Sequence, residues 1–191
     1  MKPESARLFA ALELPAPVRT ALVTWRTAQL SHVAGLRATQ PDAQSLHVTL
    51  CFLGSQPVAE IARIAEACGS AAGYRRPALS IGRPLWLPVR RPRVLTVEID
   101  DDGGLRAVQS ALAGALGQGG WFEPERRPFL PHVTVARTGR DGLRRPPEVA
   151  SPEAISFVGS TVALMRSHLG AGSASYERLA VVELGEGGSP G

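Results

Sequence analysis

The stretch His47-Val-Thr-Leu-Cys-Phe-Leu-Gly54 returns 85 residues later as His132-Val-Thr-Val-Ala-Arg-Thr-Gly139. Four of the eight positions are identical (His, Val, Thr and Gly), and Leu50 is matched by Val135. Side chains along a strand alternate between its faces, whereas residues two apart on a helix diverge. Read as strands, both stretches carry an apolar face, Val48 with Leu50 and Val133 with Val135. Their other face presents an imidazole and a hydroxyl, His47 with Thr49 and His132 with Thr134. A lone histidine on a strand is most often a satisfied or solvated residue. Its recurrence together with the threonine makes these four residues the candidate site.

The flanking sequence repeats as well. Apolar strands begin near Leu8 and Val94, and the intervals to His47 and His132 are 39 and 38 positions. A strand–helix–(His-Val-Thr strand) unit used twice accounts for both. The first half reads as a strand over 7–14, a helix over 17–34 with Val18, Leu22, Trp25 and Ala28 on one side, and a loop over 39–43. A strand over 46–53 closed by Gly54, a helix over 58–72 and a strand over 78–87 follow. The second half reads as a strand over 94–99, a turn over 100–104, a helix over 105–117, a loop over 118–131 and a strand over 132–136. A polar, mobile loop over 139–152, closing strands over 155–166 and 176–184, and a frayed tail over 185–191 complete it. The proline- and arginine-rich stretch 88–92, with Arg90, Arg91 and the adjacent Arg93, reads as a linker or as part of a nucleic-acid track. The expectation is one bilobal α+β domain over 1–184, made of half-repeats of about 6–87 and 93–184.

Length and composition agree with a single core-forming domain: 191 residues, 44% apolar and 20% charged. No window approaches the roughly 18 apolar residues of a membrane span, and the N-terminal residues lack the apolar stretch of a signal peptide. Cys51 and Cys68 lie in apolar surroundings and read as buried free thiols of a reducing, cytoplasmic setting. The net charge of +4 and a pI near 9.8 point toward a polyanionic partner. Of the 21 basic residues, however, only Lys2 is not arginine, the mark of GC-rich coding in a chain also rich in Ala, Gly and Pro. Individual arginines near the site therefore weigh more than bulk basicity.

If the halves are related by a pseudo-two-fold, the two polar faces meet across a cleft. Two imidazoles flanking one phosphorus supply a general base on one side and a general acid on the other, and histidine suits both roles near neutral pH. The threonine hydroxyls donate to phosphoryl oxygens. Two histidines make only two metal ligands, and neither CxxC nor HExxH spacing occurs. Strict alternation places Cys51 on the His47 face, but its counterpart is Ala136. No metal and no other cofactor is expected. His32 and His168 read as surface residues. The absence of a Gly-rich phosphate loop after a strand and of GxSxG excludes the common nucleotide-hydrolase and serine-esterase patterns.

The pair His47-x-Thr49 and His132-x-Thr134 resembles the signature of the 2H phosphoesterase superfamily, and within it the RNA 2′,3′-cyclic phosphodiesterases, or 2′-5′ RNA ligase-like proteins. The likeness extends to Arg7-Leu-Phe-Ala-Ala-Leu, Ser45-Leu-His-Val-Thr-Leu-Cys-Phe-Leu-Gly54, and Arg127-Pro-Phe-Leu-Pro-His-Val-Thr-Val-Ala-Arg137. It also covers Leu164-Met-Arg-Ser-His-Leu and Tyr176-Glu-Arg-Leu179, and so runs from about residue 6 to 184.

The resemblance implies two antiparallel sheets flanked by helices around a central cleft, and metal-free hydrolysis of an RNA terminal 2′,3′-cyclic phosphate to a 2′-phosphate. It casts His47 as the acid for the departing O3′, His132 as the base that activates water, and Thr49 and Thr134 as phosphate contacts. Phe52 and Arg137, each five residues after a motif histidine, match the positions that sandwich the terminal base. Their odd spacing puts them on the far face of a regular strand, so stacking requires a strand end or a bulge. Arg126 and Arg127 are further candidates for phosphate contact. The implied partner is an RNA end, from tRNA halves or other fragments, or a small cyclic-phosphate nucleotide, with neither membrane nor obligate protein partner. The reverse reaction, 2′-5′ ligation to a 5′-hydroxyl end, and a non-catalytic RNA-end-binding module are the competing readings. A monomer is the default for a chain that carries both lobes of its own cleft.

Overall fold

The computed structural model describes residues 4–31, 38–39, 42–124, 127–139, 141–169 and 174–186. The first half contains β1 (Ser5–Glu13), α1 (Ala16–Leu30), the short β2 (Ala38–Thr39), β3 (His47–Pro57), α2 (Ile61–Cys68) and β4 (Ala78–Leu87). The second contains β5 (Val94–Asp101), α3 (Gly104–Gln118), β6 (His132–Thr138), β7 (Ser156–Val158), β8 (Thr161–Leu169) and β9 (Ala174–Glu183).

The named strands pair antiparallel in the order β7-β4-β5-β6-β3-β1-β8-β9, with β2 also on β6. In place of the two expected sheets there is one continuous sheet of two parts, β4–β7 and β1, β3, β8 and β9. They join where β3 and β6 meet through one register pair, Val48 opposite Val133. The two motif strands thus form the seam between the lobes. Each half of the chain feeds both lobes: β4 pairs with β5, and β8 pairs with β1.

The expected closing strand over 155–166 is in fact two strands. β7 lies on β4 in one lobe and β8 on β1 in the other, so the chain changes lobe at Gly159. A Cβ at that glycine would stand 3.0 Å from the Leu12 side chain and 3.2 Å from that of Leu79. Any larger residue there would press on these leucines, which would have to give by a few tenths of an ångström. The stretch 88–93 is not a linker between lobes but a hairpin loop, since Leu87 pairs with Val94. Arg90, Arg91 and Arg93 are exposed on that loop.

The loop over 141–152 has no regular structure yet is tied down. Trp86 Nε1 donates to the Pro147 carbonyl at 3.0 Å, Trp25 Nε1 to that of Ala150 at 2.9 Å, and the Ala150 amide to Gln29 Oε1 at 2.8 Å. The tail also docks at its start, where the Gly185 amide donates to the Tyr74 carbonyl and Arg76 pairs with Glu186.

Helix α3 begins where Gly103, at φ +106°, turns the chain and Asp101 accepts from the Leu105 and Arg106 amides at 2.9 and 3.0 Å. It buries Leu105, Val108, Leu112 and Leu116, one side of the helix, against β3 and β5. Helix α1 lies on β6 and buries Val18, Leu22, Arg26 and Leu30. The fourth-residue spacing is as expected, but the buried side rotates from Trp25 and Ala28 to Arg26 and Leu30.

Candidate active site

Both motif strands carry a β-bulge at the same place. In β3, Thr49 faces Ala11 and Cys51 faces Ala10, so Leu50 has no register partner. In β6, Thr134 faces Thr96 and Ala136 faces Leu95, which leaves out Val135. A bulge turns two successive side chains to one side and reverses the alternation beyond it. Leu50 and Cys51 are accordingly both buried, as are Val135 and Ala136, and Phe52 and Arg137 emerge exposed. This is the irregularity that the odd spacing of Phe52 and Arg137 requires. It also corrects the placement of Cys51, which lies in the core and not on the His47 face. Burial pushes the Cys51 thiol up to about 12 and that of Cys68 up to about 11.

Ser45, His47, Thr49, His132, Thr134, Arg137 and Tyr176 line one small cleft of about 30 Å³ at the seam. The histidines are anchored identically. His47 Nδ1 lies 2.8 Å from the Ser45 carbonyl oxygen and His132 Nδ1 2.7 Å from that of Leu130, two residues upstream in each case. A carbonyl only accepts, so both Nδ1 atoms carry hydrogen and both Nε2 lone pairs are left for the cleft. His47 Nε2 accepts from the Thr49 hydroxyl at 3.2 Å.

The surroundings of the two rings differ. His47 stacks on Phe9, with centroids 4.9 Å apart, and meets Tyr176 edge-on at 5.2 Å. Phe9 and Tyr176 also touch each other, which makes a two-sided aromatic seat. Burial there pulls the His47 imidazole down to about 4. The charges of Arg137 and His132 push it the same way, against the Ser45 bond that favours the charged ring. Sequence reasoning missed Phe9, Tyr176 and Ser45 as site residues. Tyr176 and Phe9 stand in stretches that carry the family resemblance, but nothing local marks either as a neighbour of His47.

Phe52 is 45% exposed and is not brought into the cleft lining; the Arg7 guanidinium lies 4.6 Å above its ring. Arg127 is exposed and is not brought into the cleft lining, and Arg126 and His32 lie outside the described residues. His168 is on the surface, paired with Glu177 at 2.9 Å. Among the described residues, no group of three or more His, Cys, Asp or Glu side chains is placed to hold a metal ion.

The fold thus gathers two histidines and two threonines into one cleft, and comparison with known proteins gives the family. The chain belongs to the 2′-5′ RNA ligase superfamily, whose family model matches residues 15–171. It is 28% identical over 154 residues to the RNA 2′,3′-cyclic phosphodiesterase of Escherichia coli, covering 75% of this chain and 78% of that one. It is 32% identical over 151 residues to the enzyme of the same name from Thermus thermophilus, covering 74% and 73%. The crystal structure of E. coli LigT complexed with 3′-AMP superposes with a TM-score of 0.79 at 26% identity, over 95% of this chain and 99% of that one. No helix among the described residues is long and apolar enough to cross a membrane.

Proposed function

We propose that this protein hydrolyses the 2′,3′-cyclic phosphate at an RNA end to a 2′-phosphate, with His47 and His132 as an acid–base pair. The observation that carries the reading is the paired anchoring of the two rings. Each Nδ1 is tied to a main-chain carbonyl, and each Nε2 faces one cleft that also holds two threonine hydroxyls.

In this reading His132 Nε2 takes a proton from water as the water oxygen bonds to phosphorus. The P–O3′ bond breaks, and O3′ receives a proton from His47 Nε2. Thr49 and Thr134 donate to the non-bridging oxygens, where negative charge grows. The acid must carry its proton before reaction, whereas burial holds the free His47 neutral at neutral pH. An anionic phosphate in the cleft opposes that effect. Once the Thr49 hydroxyl turns to the phosphate, it releases Nε2 to hold the proton.

Phe52 and Arg137 bind the terminal base between a ring and a guanidinium plane, which accepts any base. The nucleotide bound to the E. coli relative supports such a seat. The substrates are RNA fragments, tRNA halves among them, and small cyclic-phosphate nucleotides. The buried free thiols Cys51 and Cys68 favour a reducing cytoplasm, and a cleft completed within one chain favours a monomer.

The test is conversion of a short RNA ending in a 2′,3′-cyclic phosphate, in EDTA, beside His47→Ala and His132→Ala. Each variant is expected to lose about 10²- to 10⁴-fold in kcat. Binding without ring opening by the wild type would replace the hydrolase with an RNA-end-binding module. Product joined to an added 5′-hydroxyl RNA would establish the reverse, ligating direction.

A further inference from the structure

We propose that Arg26 is a positioning residue for the substrate: from α1 it holds the bulge in β6 that turns Arg137 into the cleft. The inference rests on the RNA-end reading above and deepens it. Arg26 is 5% exposed and occupies a core position of α1, in series with Val18, Leu22 and Leu30. The corresponding face of α3 is apolar throughout, with Leu105, Val108, Leu112 and Leu116. Packing alone is therefore satisfied by an aliphatic side chain, and a guanidinium is withdrawn from water for another purpose. Burial lowers its pKa and the Asp42 carboxylate opposes that, so the group remains a cation and a donor.

Its Nη1 donates to the Val135 carbonyl at 3.1 Å, across 109 residues of sequence. Val135 is the residue of β6 that the β5 register skips. On its other side the described partners of β6 are Val48, opposite Val133, and Ala38 and Thr39 of β2, opposite Thr138 and Arg137. Arg26 thus supplies a fixed donor to the carbonyl of the bulged residue itself. The first copy differs: there the polar side chain of α3 near the bulge, Gln109, acts on the Cys51 thiol, one residue beyond the bulged Leu50. Without the bulge β6 reverts to strict alternation, and residue 137 faces away from His132 and Thr134.

The experiment measures kcat and KM for wild type, Arg26→Met, Arg26→Lys, Arg137→Ala and the Arg26→Met/Arg137→Ala double variant. Two substrates are used: an RNA ending in a 2′,3′-cyclic phosphate, and the same RNA with an abasic terminal ribose cyclic phosphate. Arg26→Met is expected to raise KM about ten-fold on the normal end and leave kcat nearly unchanged, which is the scale of one lost base stack. On the abasic end it is expected to change little. The double variant should be no worse than Arg137→Ala alone, and Arg26→Lys, which keeps charge and one donor, should recover part of the loss. Equal losses on both ends, losses that multiply with Arg137→Ala, or a fall in kcat would overturn the proposal and leave Arg26 as a stabiliser of the lobe. Where Arg26→Met does not fold, the Lys variant decides by the same contrast between the two ends. Wild type that opens neither ring refutes the RNA-end reading itself. Wild type that opens both, with Arg26 variants indistinguishable from it, refutes only the role of Arg26.

Discussion

The two copies of the motif are alike in how they hold their histidine and threonine and unlike in what surrounds them. Each has a histidine tethered through Nδ1 two residues upstream, a threonine on the same face, and a bulge one residue later. Even the cross-strand neighbours correspond. His47 faces Glu13, which pairs with Arg178 at 2.7 Å, and His132 faces Glu98, which pairs with Arg83 at 2.6 Å. Beyond the bulge the copies part, one offering the Phe52 ring and the other the Arg137 guanidinium. Only His47 sits in the Phe9–Tyr176 seat. A repeat can thus build a nearly symmetric pair of histidines and threonines while its flanks differ.

If the phosphate is held symmetrically, Thr49→Val and Thr134→Val should each lower kcat by about 10²- to 10³-fold, the cost of one lost donor to a developing oxyanion. Steady-state rates on the cyclic-phosphate RNA check this. A loss confined to Thr49, which also bonds His47 Nε2, would assign the threonines to the ring rather than to the substrate.

The depressed basicity of the His47 ring predicts a stability effect. The folded His47 has a pKa of about 4 against 6.5 unfolded, so between these values the unfolded chain binds more protons. The contribution of His47 is therefore complete above about pH 6.5 and is lost as pH falls toward 4, by about 3 kcal/mol in all. Urea unfolding at pH 7.5 and 4.5 should show wild type losing this much relative to His47→Gln. Tyr176→Ala, which opens the ring to water, should raise the His47 pKa toward its ordinary value in NMR titration, and Tyr176→Phe should leave it low. An unmoved pKa in Tyr176→Ala would assign the depression to Arg137 and His132 instead.

The candidate site was legible in the sequence because it is duplicated. His47, Thr49, His132 and Thr134 repeat at fixed spacing, and alternation alone puts each pair on one face. The bulges were legible only as a contradiction, because two exposed residues at odd spacing demand a break in alternation that no residue between them announces. Arg26 was hidden, since a charged side chain at a core position violates the pattern by which helix faces are read, and its partner lies 109 residues away. Likewise the seat around His47 joins residues from β1, β3 and β9, and only the sheet order brings them together. The hairpin at 88–93 misled for a simpler reason. Proline and arginine mark a turn as readily as a linker, and the pairing of β4 with β5 across the halves is a property of topology alone.

The smallest expected effect tests the flanks most sharply. Phe52→Ala and Arg137→Ala should each raise KM about ten-fold with kcat nearly intact, since one stacked base is worth about 1–3 kcal/mol. Arg7 lies over the Phe52 ring at 4.6 Å and is exposed, an interaction worth about 0.5–1 kcal/mol. Arg7→Ala should therefore raise KM only about two- to five-fold, and should do nothing once Phe52 is Ala, because its contact is with the ring. The KM of the double variant decides between this and a direct role. An Arg7 effect that persists without the ring would mean that the guanidinium reaches the RNA itself, and the first flank would then carry charge as the second one does.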